Sequence, residues 1–342
     1  MRILLGMSGG VDSTYAGALL SQEDYSVEAA VLVMSEHTDT GAALRSCEEL
    51  GIKLHIIDAR EAFEKYVVDD FVHQYSKART PNPCVMCNRY VKIKMLCDYA
   101  KANGFDKVAT GHYCNIYNEE NRYCVSMAQD LRKDQTYMLW QLTQEELSML
   151  YTPLSFKTKD EAYALARERG YSSADSKESQ EICFIPDNDY ASFIENRIGR
   201  FPEGDFVDSD GNTVGRHKGI IHYTIGQRKG LGLAMKVPVF VTEIDPIANT
   251  VKVEPAGKEY KESFCADSLN FQLENEPLDG EIREKEYLVK IRYGAKPARA
   301  TVKFSKNMAE VSFAEPQRAV TPGQSAVFYD GDRVAFGGFI CS

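Results

Sequence analysis

Gly6-Met7-Ser8-Gly9-Gly10-Val11-Asp12-Ser13 decides how the rest of the chain is read. Ahead of it, Ile3-Leu4-Leu5 is a short apolar run with the character of a buried strand, and behind it residues 14–20 read as a helix. A turn of small residues between a strand and a helix leaves backbone N–H groups pointing outward at the positive end of the helix dipole, which suits a phosphate or pyrophosphate. Ser8 and Ser13 can donate hydroxyls to the same oxygens, and Asp12 can hold a cation, most naturally Mg²⁺ carried by the phosphates. Two common phosphate signatures are excluded. G-x-x-x-x-G-K-[ST] needs a lysine that this loop lacks, and G-x-G-x-x-G needs a spacing it does not have.

Beyond the loop, residues 27–34 and 54–58 read as strands, residues 40–50 as a helix closed by Gly51, and residues 59–75 as largely helical. Strand and helix alternate, which predicts an α/β, doubly wound parallel sheet. Ligands of such sheets lie beyond the carboxyl ends of the strands, where the opening loop sits. Met34, at the end of the second strand, either packs on a nucleotide base or simply fills the core.

Thr80-Pro81-Asn82-Pro83-Cys84-Val85-Met86-Cys87-Asn88 follows. Two prolines predict a rigid loop, and residues 89–103 read as the next helix, so Cys87 is expected near a helix N-terminus with a lowered thiol pKa. C-x-x-C supplies two metal ligands with no second pair, or a redox dithiol. Val108-Ala109-Thr110-Gly111-His112-Tyr113 reads as a strand end entering a polar turn, where Gly111 permits close backbone approach and His112 offers a ring donor. Arg132-Lys133-Asp134-Gln135-Thr136-Tyr137 reads as a charged turn, and residues 158–169 as a helix with an N-cap and a closing Gly170. Glu181-Ile182-Cys183-Phe184-Ile185 carries a third noteworthy thiol, semi-buried among apolar neighbours.

From about Phe201 the texture changes to short β-rich runs with turns such as Asp210-Gly211 and Asp330-Gly331. His222-Tyr223-Thr224-Ile225-Gly226-Gln227-Arg228-Lys229-Gly230-Leu231-Gly232 is a glycine-punctuated basic loop, and residues 288–293, 300–304, 309–313, 325–329 and 333–340 predict a compact β-barrel. The expected divisions are 1–188 for the nucleotide domain, 189–260 for a small β-rich domain and 261–342 for the barrel.

Composition bounds these readings. A chain of 342 residues, 44% hydrophobic and 26% charged, is globular and large enough for two or three cores. No apolar run reaches a membrane span, and the first strand begins so early that no leader is expected. Nine cysteines, an odd number, point to a reducing cytoplasmic setting in which some thiols do chemistry. The net charge of −10 argues against a nucleic-acid partner unless a local basic face exists, and Lys290, Arg292, Lys296, Arg299 and Lys303 are candidates for one.

The loop Ser8-Gly9-Gly10-x-Asp12-Ser13 resembles the PP-loop of ATP pyrophosphatases, which cleave ATP between the α- and β-phosphates and adenylate a substrate. With the Thr80 to Asn88 stretch, Thr110-Gly111-His112-Tyr113, Lys133-Asp134-Gln135, the Cys183 segment, the basic loop and Pro322-Gly323-Gln324, in that order from first strand to last, the chain resembles the tRNA-specific 2-thiouridylase family. That resemblance implies ATP and Mg²⁺ at Gly6 to Ser13, with Met34 and Gly111 also at the nucleotide. It implies a persulfide on Cys183, with Cys87 releasing the sulfur or closing a disulfide with it. It implies that Asn82, Pro83 and Cys84 meet a flipped wobble uridine of the anticodon stem-loop, and that His112, Lys133, Asp134, Gln135, Arg292, Tyr293 and Gln324 touch the tRNA. A cysteine desulfurase or sulfur-carrier protein would supply the sulfur. Many members carry Asp where this chain has Cys84, so a carboxylate role does not transfer, and Cys84, Cys87 and Cys183 become candidate ligands of an iron–sulfur cluster. The competing readings are an adenylating ligase or amidotransferase acting on a small molecule, which needs no paired thiols, and a non-catalytic RNA-binding or iron–sulfur carrier protein.

Overall fold

A computed structural model describes residues 1–176 and 182–341. Part of the Cys183 motif, Glu181, lies outside the described residues.

The described residues form a five-stranded parallel sheet in the order Leu54–Asp58, Ser26–Val33, Arg2–Gly6, Lys107–Ala109, Leu150–Tyr151. Strand order reverses on either side of Arg2–Gly6, so the loop after that strand stands at the switch point of the sheet. Ile3, Leu4 and Leu5 are fully buried, as a strand covered on both faces requires. Helix Val11–Leu20 is buried along all but Asp12 and Leu19, which fixes its N-terminus rigidly under the loop. The predicted helices over 40–50 and 158–169 are present as Thr40–Leu50 and Lys159–Arg169, closed by left-handed Gly51 and Gly170.

The Thr80 to Asn88 stretch is a correction. Only its first residues are loop. Pro83 begins a helical run, capped by Asn82, whose Oδ1 accepts the Cys84 N–H at 3.1 Å. Pro83–Met86 leads directly into a π-turn, Cys87–Lys92, and then into Ile93–Ala102. Proline at the first helical position removes a donor that has no partner there anyway, so the second proline starts a helix where a loop is expected.

After helix Tyr190–Ile198, a four-stranded sheet joins Val239–Asp245, Thr250–Pro255, Gly204–Val207 and Thr213–His217. Its core residues Phe206, Val241 and Val251 pack with Phe71 and Tyr75 of the first domain. The C-terminal strands Tyr260–Phe271, Met308–Arg318, Ala298–Phe304, Arg283–Lys290, Ser325–Asp330 and Arg333–Ile340 close on themselves through pairing of the first with the last. Phe304, Phe328 and Phe336 fill the barrel, the latter two rings stacked 4.2 Å apart.

Two barrel-related elements were not legible. Tyr260–Phe271 is needed for closure, yet its outward charges obscure its alternation. A hairpin from the first domain, Asn115–Glu119 and Arg122–Ser126, adds to the barrel sheet beside Arg333, turning on Glu120 and Asn121 at φ 49° and 63° without a glycine to signal it. Trp140 completes the seam: fully buried, it donates to Ser325 Oγ at 2.9 Å.

Candidate active site

The opening loop is built as its composition implies. Gly9 takes φ 81°, and a Cβ there would lie 2.4 Å from the Ala42 backbone, so only glycine lets the loop pass under the second helix. Gly10 caps helix Val11–Leu20 with no side chain of its own, and the first helical N–H, that of Val11, donates to Ser176 Oγ at 3.3 Å. Ser13 Oγ donates to Gly10 O at 3.0 Å and lies 3.2 Å from Ser8 Oγ, while Met7 N–H is fixed on Ala30 O at 2.8 Å. A Cβ on Gly111 would come within 2.9 Å of the backbone of Asp12 and Ser13. The glycine therefore lets the fourth strand's exit close on the helix N-terminus.

Two chambers open on this loop. One, about 310 Å³, runs from Gly6, Met7, Ser8, Asp12 and Ser13 over Ala30, Val31 and Leu32 to Met34, with Gly111 and His112 opposite. Its apolar floor suits a nucleoside, so Met34 faces a cavity while it also packs on the core. The other, about 410 Å³, is lined by Ser8, Gly10, Val11 and Asp12 together with Lys92, Lys133, Gln135, Lys159 and Tyr293. Its ammonium and N–H lining suits phosphates. Asp12 lines both chambers. Its carboxylate takes the Lys159 Nζ at 2.6 and 2.7 Å and the Tyr113 hydroxyl at 2.9 Å.

All nine cysteines are free thiols. Cys87 is buried, its Sγ 4.0 Å from Met34 Sδ, so it backs onto the wall of the nucleoside chamber. Cys84, one helical turn earlier, is exposed, and so is Cys183, on a turn whose next residue, Phe184, is wedged edge-on against Phe63 and Phe71. These thiols feel one another and one cation. Burial pushes the Cys87 thiol up to about 11, Lys92 opposes that rise, and Cys183 and Cys84 add to it. Although Cys183 is exposed, partial desolvation by its apolar neighbours raises its thiol too, again opposed by Lys92 and reinforced by Cys84. Cys87, then Cys84 and Cys183, strengthen the hold of Lys92 on its proton. The expected lowering of the Cys87 pKa is thus reversed. The residue sits beyond the first turn of the helical run, where the N-terminal dipole has faded, and desolvation outweighs it.

The arrangement does not fit an iron–sulfur cluster on Cys84, Cys87 and Cys183. Among the described residues no three His, Cys, Asp or Glu side chains gather at metal-ligand spacing. Cys87 turns inward to Met34, whereas Cys84, on the helical run, and Cys183, on a turn, are exposed.

The candidate RNA-contacting residues divide by exposure. His112 lines the nucleoside chamber, 2.9 Å from Thr110 Oγ1, and burial with the nearby Lys92 drives its pKa down to about 3, so the ring is neutral. Asp134 is buried, bonded to Thr136 Oγ1 at 2.6 Å and to the Ala128 N–H, and it braces the turn that presents Lys133 and Gln135. Arg292 turns inward onto Thr321 Oγ1 at 2.8 Å and Ala319 O, whereas its neighbour Tyr293 is exposed. Gln324 donates to Thr80 O at 2.7 Å, and Thr80 N–H to Pro322 O at 2.9 Å, so the barrel is stitched to the residues just before Asn82 and Pro83. Of the candidate basic face, Lys296, Arg299 and Lys303 point to solvent.

The comparisons with known proteins agree along the whole chain. A family model described as a tRNA methyl transferase HUP domain matches residues 1–187, a tRNA methyl transferase PRC-barrel domain residues 191–255, and an aminomethyltransferase beta-barrel domain residues 261–340. The tRNA-specific 2-thiouridylase MnmA of Clostridium perfringens is 42% identical over 355 residues, covering 99% of this chain and 98% of its own length. That of Acetivibrio thermocellus is 42% identical over 358 residues, with 99% of each chain covered. The chain belongs to the tRNA-specific 2-thiouridylase family. Among solved structures, the U34-tRNA thiolase NcsA from Methanococcus maripaludis with its [4Fe-4S] cluster matches 57% of this chain and 66% of its own, with a TM-score of 0.37 and 21% identity. A 4-thiouridine synthetase–RNA complex with bound ATP matches 54% and 44%, also at 0.37 and 21%.

Three residues of this thiouridylase site escaped the sequence reading. Lys92 is five residues from Cys87, and only the π-turn, whose repeat is close to five, brings it under the thiol's influence. Tyr113, which its sequence context gives no role, holds Asp12. Lys159 carries a legible signal: a cation at the first position after the Thr158 N-cap opposes the helix dipole, so it needs an anion from elsewhere.

Proposed function

We propose that this chain replaces the C2 oxygen of the wobble uridine of a tRNA with sulfur, at the expense of ATP. The uracil O2 attacks the α-phosphorus of ATP, forming an O–P bond and releasing pyrophosphate; Asp12 would hold a Mg²⁺ that neutralises charge on the phosphates. The terminal sulfur of a Cys183 persulfide attacks C2, and AMP departs with the oxygen. The Cys87 thiolate then attacks Cys183 Sγ, leaving the outer sulfur on the base and a Cys87–Cys183 disulfide, which a dithiol reductant reopens. A sulfur-donor protein, a desulfurase or a carrier, reloads Cys183.

One observation carries this reading: the thiol that must release the sulfur backs onto the wall of the chamber that suits the nucleotide, with Cys183, Cys84 and Lys92 in electrostatic range. A ligase acting on a small molecule has no use for that convergence. Asn82, Pro83 and Cys84, on the helical run that carries Cys87, would meet the flipped base. Lys133, Gln135, Tyr293 and the outward barrel lysines and arginine would position the stem through phosphate contacts, a local basic surface on an acidic chain. A tRNA substrate and ATP support a cytoplasmic setting for the reaction. Among the described residues no helix is long and apolar enough to cross a membrane.

The test is mass spectrometry of nucleosides from tRNA incubated with the protein, ATP, Mg²⁺ and a sulfur source. 2-Thiouridine at the wobble position is expected. Its absence under conditions where the tRNA binds would overturn the proposal.

A further inference from the structure

Of the nine cysteines, Cys84, Cys87 and Cys183 belong to the site, and Cys47, Cys97, Cys114 and Cys124 are buried in the core. Cys265 and Cys341 remain, both half-buried. They face each other across the seam that closes the barrel. Ala266 pairs with Ile340 where strand Tyr260–Phe271 meets strand Arg333–Ile340 in antiparallel register. One step further along, the Cys341 N–H donates to Cys265 O at 3.0 Å. Ala266 and Ile340 are fully buried in the barrel core. Side chains alternate along a strand, so the two thiols point outward together, on one face. Directly opposed residues of an antiparallel pair have Cα atoms about 4.5–5.5 Å apart, within the roughly 4.4–6.8 Å that a disulfide spans. Burial raises the Cys341 thiol, Asp267 and Cys265 add to the rise, and Arg79 opposes it. Sulfur transfer makes no use of this pair.

We propose that Cys265 and Cys341 are an oxidisable dithiol that closes into a cross-strand disulfide and staples the barrel seam. The oxidant is a low-molecular-weight disulfide of the glutathione class. One protein thiolate attacks a sulfur of that disulfide, forming a mixed disulfide and expelling one small thiolate. The second protein thiolate attacks the protein sulfur of the mixed disulfide, forming the Cys265–Cys341 bond and expelling the other. The two protons that leave the protein end on the two small thiols, so the dithiol loses two electrons and the reagent gains two. Excess small thiol runs both steps backwards. Where thiols are kept reduced the pair stays open, and disulfides in such settings are usually transient and redox-sensing. The bond joins the first barrel strand to the end of the last, which lowers the freedom of the unfolded chain over the whole barrel. It also fixes the residue beside Ile340, which donates to Gln324 O at 2.8 Å and accepts the Gly323 N–H at 2.9 Å. Gln324 in turn reaches Thr80, so the staple sits at the strand end that carries the stitch to the catalytic domain.

The experiment equilibrates the full chain with glutathione disulfide, blocks the remaining thiols with iodoacetamide and maps the unreduced digest by mass spectrometry. A peptide pair joining Cys265 to Cys341 is expected as the main product of Cys341, and dithiothreitol removes it. Cys265→Ser is expected to hold glutathione on Cys341 instead, because the resolving thiol is gone. Oxidation should raise the thermal unfolding midpoint of the wild type by about 5 °C or more beyond any rise it causes in Cys341→Ser. Stable glutathione adducts on both residues of the wild type would show that the two sulfurs do not meet, and that result overturns the proposal. Both thiols left unmodified, or Cys341 joined to any other cysteine, overturns it too. So does a linked wild type whose unfolding midpoint gains no more than that of Cys341→Ser. Should either serine variant fail to fold, the linkage in the wild type and its reversal by dithiothreitol decide.

Discussion

The phosphate loop lines the nucleoside chamber and Cys87 backs onto its wall behind Met34, and the loop and the thiols are made in opposite ways. The loop is local. Eight consecutive residues, a strand before and a helix after supply the exit, the glycine at φ 81° and the helix N-terminus. The thiol cluster is assembled from a helical run at 83–102 and a turn at 182–185, and its electrostatics come from burial and from Lys92. Chemistry that needs fixed backbone dipoles can be written in one stretch. Chemistry that needs two sulfurs to meet requires the whole fold to deliver them.

The sharpest way to break the comparison is to disable each half alone. Asp12→Ala is expected to cut ATP–pyrophosphate exchange by at least about a thousandfold while tRNA binding, followed by filter retention, stays within about threefold. Cys183→Ser is expected to do the reverse: 2-thiouridine falls by at least about a thousandfold with exchange retained. If Cys183→Ser also abolished exchange, the two regions would not be separable functions, and the local-versus-assembled distinction would fail.

Legibility follows the same division. The parallel sheet, the loop and the helix over 158–169 were readable because each is decided by neighbours in sequence: apolar runs, small residues at a turn, a Thr158 cap and a Gly170 stop. The sign of the Cys87 shift was not, because it depends on what covers the thiol, and the covering residues include Met34, 53 positions away. Asp134 and Arg292 looked like surface charges, and tertiary packing turned them inward. The sixth barrel strand and the added hairpin became visible only through pairing partners far along the chain.

A smaller effect separates burial from dipole as the controlling influence on Cys87. With its thiol pushed up to about 11, the thiolate fraction rises tenfold for each pH unit between 7 and 9. The sulfur-release step, in single turnover on pre-adenylated tRNA, should climb about tenfold per unit over that range. A flat profile would mean the thiol is already ionised and that the helix end governs it. Lys92 opposes the rise, so Lys92→Gln should slow the step by roughly tenfold at pH 7.5, and Lys92→Arg should recover most of the rate.

The smallest effect probes the stitch between barrel and catalytic domain. Gln324 Nε2 donates to Thr80 O at 2.7 Å, two residues before Asn82 caps the helical run carrying Cys84 and Cys87. Gln324→Ala removes one hydrogen bond, worth about 0.5–1.5 kcal/mol, or roughly two- to tenfold in an equilibrium. Acting on the position of the base-contacting segment and not on the loop, it should reduce the rate of thiolation by that factor and leave ATP–pyrophosphate exchange unchanged. An equal loss in both reactions would show that the barrel steadies the phosphate loop too. The loop would then depend on distant packing as the thiols do.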